Sequence, residues 1–329
     1  GPGGQPRLAR GRPGPARAGR PRLRFPRLAA PLGLAYPGSM RYLLIANPAS
    51  GAPGRRDRAE RVVEWFRQRG DEVVATRTSG PGDATRLARG AEGFDAVIAA
   101  GGDGTVNEVL NGLAGGDLPL GILPWGTGNV FAKEMGFPRG LRRCCRVIRR
   151  GLSARLDLGR CGERRFLMMA GAGIDAYALG RMRGKNWKRL FGVAGYAVGA
   201  LLAFARYRDA EIEVLFPDGK RLKGSYVLVS NTRLYGGVFA FAPTAVPTDG
   251  LLDVFVFKGR SRWGLLGFLV RRILLPGRLF RGGALVKTAS VELRSAAAVP
   301  LQVDGDPFAP LPRSLSVEPA ALSVLLPKR

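Results

Sequence analysis

The sequence predicts an α/β domain built on a mainly parallel sheet, followed by a β-rich domain that forms an antiparallel sandwich. Three observations predict it. Strand-like apolar runs alternate with helical patterns from Met40 to about residue 155. Beyond that point the chain changes to shorter β-like runs separated by turn residues. At 329 residues the chain also exceeds the usual size of one core. The expected divisions are a disordered extension at 1–39, an α/β domain at 40–155 and a β-rich domain at 156–329 whose last strand can return to the first sheet.

Residues 1–39 hold eight arginines and no acid among repeated Gly, Pro and Ala, with neither helical nor strand periodicity. They also lack the continuous apolar core of a secretory signal. Met40 stands directly before the strand 41–46 and is an expected natural start. A helix follows near 57–69, with Val62, Val63 and Phe66 on one side. Then come a strand from Asp71 to Thr76, a helix over 83–89, a strand at 95–100, a helix at 106–114 and a strand at 119–123. The turn 124–129 opens another helix through Met135. Later β-like runs are 165–170, 211–216, 225–230, 251–257, 285–293, 299–303 and 314–326. The apolar stretch 189–205 is short and glycine-rich, which suits a buried or interfacial helix better than a membrane span.

Three glycine-bearing turns, 47–51, 101–105 and 126–129, fall at the edge where strands end and helices begin. Ligands of parallel α/β sheets bind at that edge. Gly101-Gly102-Asp103-Gly104-Thr105 is the most specific of the three. Glycine lets the backbone approach a phosphate, and a helix start offers unpaired N–H groups with partial positive charge. Asp103 would repel phosphate, so it suits a metal ion or an ordered water. Gly-Gly-Asp-Gly also makes an ordinary tight turn.

Composition excludes several classes. With no histidine, Ser-His-Asp and Cys-His mechanisms and histidine metal sites are out. Three cysteines, two of them adjacent, give neither metal-ligand spacing nor a disulfide framework, and fit a reducing cytosol. The formal charge is +27, of which eight units belong to residues 1–39, leaving +19. Such a charge suits an anionic membrane or nucleic acid. The basic residues are dispersed, no nucleic-acid reader module is present, and no specific nucleic acid is expected.

Several blocks together resemble one family, the diacylglycerol kinase catalytic-domain family, which includes bacterial lipid kinases and sphingosine kinases. The blocks are Asn47-Pro48-Ala49-Ser50-Gly51, the turn from Gly101 to Asn107, Leu123 to Asn129, Pro247 to Asp253, and Val303-Asp304-Gly305-Asp306. They occur in family order. The resemblance implies an N-terminal domain similar to those of NAD kinase and phosphofructokinase, and ATP- and Mg²⁺-dependent phosphorylation of a lipid hydroxyl. By the same resemblance, Asn47, Ser50, Gly51, Thr78, Gly101, Gly102, Asp103, Gly104, Thr105, Val106, Asn107 and Thr127 would contact ATP. No Gly-x-x-x-x-Gly-Lys-Ser/Thr is present, so the phosphates are held without a P-loop.

Phosphoryl transfer needs alignment, charge stabilisation and a carboxylate to receive the acceptor's proton. Asp306 is the family's usual proton acceptor. Asp304 serves instead or orients it, and a tight turn at Gly305 would let both point into one cleft. The resemblance also assigns Asp249, with the carbonyls of Val246 and Leu251, to a structural Mg²⁺. It assigns Asp157 and Asp103 to the metal and water network around ATP. Val130 stands where many relatives carry an acid. The basic, aromatic segment 262–272 suits an anionic membrane surface or packing on the β domain, so a cytoplasmic, peripherally membrane-associated protein is expected. A homodimer, an NAD kinase-like activity and a catalytically impaired nucleotide-binding regulator stay open at this level.

Overall fold

A computed structural model describes residues 38–51, 57–150, 152–182, 202–235, 239–274 and 282–328. The expectations for 1–37 and for most of 189–205 fall outside them. The first sheet begins with β1 (Arg41–Ala46), α1 (Arg58–Arg67), β2 (Glu72–Arg77), α2 (Asp83–Arg89), β3 (Ala96–Gly101), α3 (Asp103–Leu113) and β4 (Leu120–Pro124). Its parallel order is β2-β1-β3-β4. β1 is apolar on both faces because helices cover both. Tyr42 and Leu44 pack with Val62 and Phe66 of α1. Leu43 and Ile45 pack with Ala84 of α2 and Leu110 of α3. Each of the buried Val, Leu, Ile and Phe side chains among these contributes about 1.5–3 kcal/mol relative to exposure.

α4 (Val130–Glu134) and α5 (Leu141–Arg149) follow β4. α5 is absent from the sequence-level reading. Its Cys144, Cys145 and Ile148 sit beside Leu44 and Ile98 in the core, and Arg149 Nε donates to the buried Asp71 carboxylate at 2.6 Å.

The second half begins with β5 (Ser153–Cys161), β6 (Arg164–Phe166), β7 (Met169–Ala172) and α6 (Ile174–Met182). It continues through β8 (Ile212–Leu215), β9 (Arg221–Gly224), β10 (Tyr226–Ser230), the short pair β11 (Leu234–Tyr235) and β12 (Phe239–Ala240), and β13 (Leu252–Phe257). α7 (Arg262–Leu274), β14 (Gly283–Thr288), β15 (Ser290–Arg294), β16 (Leu301–Val303), β17 (Asp306–Phe308) and β18 (Arg313–Leu325) complete it. An antiparallel sheet in the order β14-β13-β10-β7-β16-β17 packs on the extension of the first sheet to make a β-sandwich. Val227, Val254 and Leu301 on one side meet Ile212, Leu293 and Leu315 on the other.

β18 joins the two halves. Its later residues run parallel to β4, with Val324 opposite Leu120, and from Leu315 to Leu325 it pairs antiparallel with β5 across a bulge between Glu318 and Leu322. The run read as one strand over 285–293 is two strands in different sheets. Thr288 Oγ1 donates to the Ser290 carbonyl at 2.7 Å and accepts its N–H at 3.3 Å, a local pairing that breaks the ladder at Ala289.

Candidate active site

The chain leaves β1 toward β2 and leaves β3 toward β4, so the connections diverge between these two neighbours and open a crevice at their C-terminal ends. Three turns meet there. The Asn47 N–H donates to the Ala100 carbonyl at 2.9 Å, and its Nδ2 donates to Thr105 Oγ1 at 3.0 Å. Asn47 Oδ1 accepts the Ala49 N–H, and the Asn47 carbonyl accepts that of Ser50. Beyond β4, the Trp125 and Gly126 N–H groups both donate to the Gly101 carbonyl, at 2.9 and 3.1 Å. The Thr78 N–H, donating to Ala46, sets Thr78 at the same edge, and Thr127 is exposed on the turn after β4.

The glycines make this approach feasible. A Cβ on Gly126 would lie 2.5 Å from Gly102 Cα, and one on Gly51 would lie 2.6 Å from the Trp125 carbonyl oxygen. Both are backbone contacts that a flexible side chain cannot relieve. Gly104 is different, because a Cβ there would meet nothing within 4 Å. Packing does not demand glycine at 104.

α3 starts at Asp103 and Gly102 gives it no side-chain cap, so its first-turn N–H groups remain for a ligand. Asp103 Oδ1 accepts the Phe131 N–H at 3.2 Å and thereby caps α4. Its Oδ2 faces Gly128, whose added Cβ would lie 3.0 Å away. Val130, half-buried, packs against the core. Thr105 is buried under Asn47. Val106 points into the core and its N–H donates to the Gly102 carbonyl, so it turns away from the crevice. Asn107 is buried and faces the second half of the protein.

That face meets the hairpin between β16 and β17. Asp304 and Gly305 have φ of +48° and +87°, the left-handed pair of a tight hairpin turn that favours Asp-Gly. The tight turn gives its two acids different partners. Asp304 Oδ1 accepts the N–H groups of Met168 and Met169, both at 2.9 Å. Its Oδ2 accepts those of Leu167 and of the Asn107 side chain, both at 2.8 Å. Burial pushes the Asp304 carboxyl up while these four donors pull it down. Asp306 remains half-exposed and pairs with Arg164 Nη2 at 2.6 Å.

A further acid escaped the sequence reading. Asp175, at the start of α6, is half-buried, and its Oδ2 accepts from Tyr235 Oη at 3.2 Å, Tyr226 Oη at 3.3 Å and Gln302 Nε2 at 3.3 Å. Burial raises its carboxyl above the ordinary range, and burial with the adjacent charge raises both tyrosines. The signal was available: Gly171-Ala172-Gly173 between a strand and a helix repeats the pattern seen at Gly101. The three thiols are chemically quiet, burial pushing Cys144 and Cys161 up to about 11 and Cys145 to about 12.

The residues matched to a structural Mg²⁺ do not fit one here. Asp249 Oδ2 is 2.6 Å from Lys287 Nζ, and its Oδ1 accepts the Leu251 N–H. The Val246 carbonyl accepts the N–H groups of Thr248 and Asp249. Lys287 also lies 3.2 Å from Oδ2 of the fully buried Asp253, its cross-strand partner, so the lysine is the cation of this corner. Asp157 is a structural joint as well. Its Oδ1 accepts the Ala320 N–H at the β18 bulge and its Oδ2 that of Gly250. Among the described residues no cluster of three or more His, Cys, Asp and Glu is arranged to hold a metal. The open carboxylate edge in the crevice is Asp103 Oδ2.

α7 buries Leu265 and stacks Phe268 on Phe255, with ring centroids 5.5 Å apart. Its other side exposes Trp263, Leu266 and Val270, and Phe204 meets Trp263 edge-on. No helix among the described residues is long and apolar enough to cross a membrane.

Comparison with known proteins agrees with this architecture. Residues 41–161 match the diacylglycerol kinase catalytic domain, and residues 168–326 match the YegS C-terminal NAD kinase beta sandwich-like domain. A diacylglycerol kinase of Mycobacterium tuberculosis is 32% identical over 303 residues, covering 86% of this chain and 94% of the relative. One from Bacillus subtilis is 30% identical over 295 residues, covering 87% and 96%. The crystal structure of a diacylglycerol kinase from Bacillus anthracis superimposes with a TM-score of 0.68 at 22% identity, covering 88% and 97%, and so shares the fold. With both halves matched in order and full-length relatives at this identity, the chain belongs to the diacylglycerol kinase family of lipid kinases.

Proposed function

We propose that this protein transfers the γ-phosphoryl group of ATP, with Mg²⁺, to a hydroxyl of diacylglycerol or a related lipid. The observation that carries the reading is the bond between Asp304 and Asn107, which latches the Asp304-Gly305-Asp306 turn onto α3 one helical turn from its uncapped start. The ATP triphosphate lies over the Gly102 to Gly104 backbone, where N–H groups and the helix dipole favour negative charge. Asn47, Ser50, Thr78 and Thr127 border it at the strand ends. Mg²⁺ supplies neutralisation of phosphate charge when bound, and Asp103 Oδ2 is the carboxylate oxygen that would hold the ion or its water.

Asp306 accepts the proton of the lipid hydroxyl as that oxygen attacks phosphorus. Arg164 holds the Asp306 carboxylate in one place and offers its guanidinium to phosphate oxygens. The lipid is reached from a membrane surface through α7. Its outward face, with Trp263 62% exposed, lies beside Arg262 and Arg271 on a strongly basic protein.

The test is transfer of label from γ-labelled ATP with Mg²⁺ to a panel of diacylglycerol, phosphatidylglycerol, a sphingoid base and NAD. Label is expected on a lipid, with Asp306→Ala and Asp103→Ala each strongly reduced. Label on NAD alone, or full lipid labelling by both variants, rejects the reading. Co-sedimentation with anionic vesicles is expected to weaken in a Trp263→Ser, Leu266→Ser double variant, and unchanged binding would remove α7 from the membrane contact.

A further inference from the structure

Gln302 lies at the centre of β16 and is buried, and its carboxamide is used at both ends. Oε1 accepts the Gly305 N–H at 2.7 Å, and Nε2 donates to Asp175 Oδ2 at 3.3 Å. The contact crosses a glycine that it requires. A Cβ on Gly171, the residue opposite Gln302 on β7, would lie 2.3 Å from Asp175 Oδ2 and 2.8 Å from Gln302 Nε2. Tyr226 and Tyr235 hold the far side of the same Asp175 oxygen. A partly buried chain of hydrogen bonds therefore runs from two tyrosines through Asp175 and Gln302 to the backbone of the turn before Asp306.

We propose that Gln302 is a positioning residue: clamped by Asp175, it fixes the left-handed Gly305 and so the direction in which Asp306 is presented. This rests on the reading of Asp306 as the proton acceptor. The geometry explains why one clamp is insufficient. Asp304 ties its own carboxylate to the Leu167–Met169 backbone and Asn107, which anchors one side of the turn. Gly305, with φ of +87° and open space around it, has no side chain to hold it, so its N–H is the remaining handle. Leucine at 302 would keep the volume while removing that acceptor, and would leave Asp175 short of one donor.

The experiment compares wild type, Gln302→Leu, Gln302→Glu, Tyr226→Phe and Asp306→Asn by lipid-kinase kinetics and by amide hydrogen exchange at Gly305. Gln302→Leu is expected to lose about tenfold or more of the Gly305 protection. Its kcat should fall on the order of 10²-fold, as for a reacting group displaced by about 1 Å, with the KM for ATP within about twofold of wild type. Tyr226→Phe perturbs the same buried cluster but leaves the Gln302 clamp in place, so it should keep both protection and kcat. Gln302→Glu retains the acceptor for Gly305 but replaces the donor to Asp175 with a second carboxyl, so its protection and kcat should fall between those of wild type and leucine.

Full kcat in Gln302→Leu alongside a crippled Asp306→Asn overturns the proposal. So does an equal kcat loss in Tyr226→Phe, because the effect is then one of core packing, and so does full protection of Gly305 in Gln302→Leu. Full kcat in Asp306→Asn instead defeats the assignment of Asp306, which separates that failure from failure of the clamp.

Discussion

Replacing Asp304 and Asp306 one at a time by asparagine separates two acids that are neighbours in sequence and opposite in surroundings. In Asp304→Asn one oxygen can still accept two N–H groups, but the new amide NH₂ faces two donors that the lost oxygen served. Each buried donor left unsatisfied costs about 1–3 kcal/mol. An uncharged amide is cheaper to bury than a carboxylate that burial already disfavours. The net loss is therefore placed at about 2–3 kcal/mol, toward the lower part of what two lost bonds allow. For a chain of this size that lowers Tm by roughly 3–5 °C. Asp306 is in an ion pair that leaves its side chain 50% exposed, and such pairs contribute about 0–1 kcal/mol. Asp306→Asn should keep a Tm within about 2 °C of wild type while losing on the order of 10²- to 10⁴-fold in kcat, the usual contribution of a positioned base. Circular-dichroism melts and initial rates with labelled ATP measure both quantities. An Asp304→Asn protein that melts like wild type yet is as inactive as Asp306→Asn would refute the division into anchor and base.

Gly104→Ala tests the phosphate cradle. Nothing surrounds a Cβ there, and alanine favours a helix over glycine by about 0.5–1 kcal/mol, so stability should hold or rise while the KM for ATP increases. Unchanged ATP kinetics would remove Gly104 from the cradle. Lys287→Met should lower Tm by leaving Asp253 buried without its cation, at a cost of about 1–3 kcal/mol after allowance for the lysine's partial exposure, and added Mg²⁺ should restore part of it. Wild type should melt alike in EDTA and in Mg²⁺, and an EDTA-sensitive wild type whose Mg²⁺ response vanishes in Asp249→Asn would overturn that account. Asp175 supplies a pH prediction. Its carboxyl is raised by burial, so the folded state binds the proton more tightly, and its favourable contribution is present at low pH and lost as pH rises through the folded value. Urea midpoints of wild type should therefore gain on those of Asp175→Asn as pH falls from neutrality toward the ordinary carboxylate range, and a constant difference would contradict the shift.

The parallel half of the fold was readable because its information is local. Strands such as Tyr42 to Ala46 are apolar on both faces, and glycine turns mark their ends. α5 was missed although Leu141, Cys144, Cys145 and Ile148 keep helical spacing, because arginines between them mask the apolar stripe in a short window. The site divides along the same line. Asp-Gly in a short apolar context announces a left-handed turn, and the turn is there at 304–305. Which of its acids is held inside and which stays half-exposed depends on the backbone at Leu167–Met169 and on Asn107, more than a hundred residues away in the chain. The same holds at Asp249, where Lys287 arrives through strand register, and at Gln302, whose meeting with Asp175 requires the bare Gly171 between them. A motif names residues able to do the chemistry. The assignment among them is made by tertiary partners, so a carboxylate with four donors and one facing a lone arginine cannot exchange roles even though one glycine separates them.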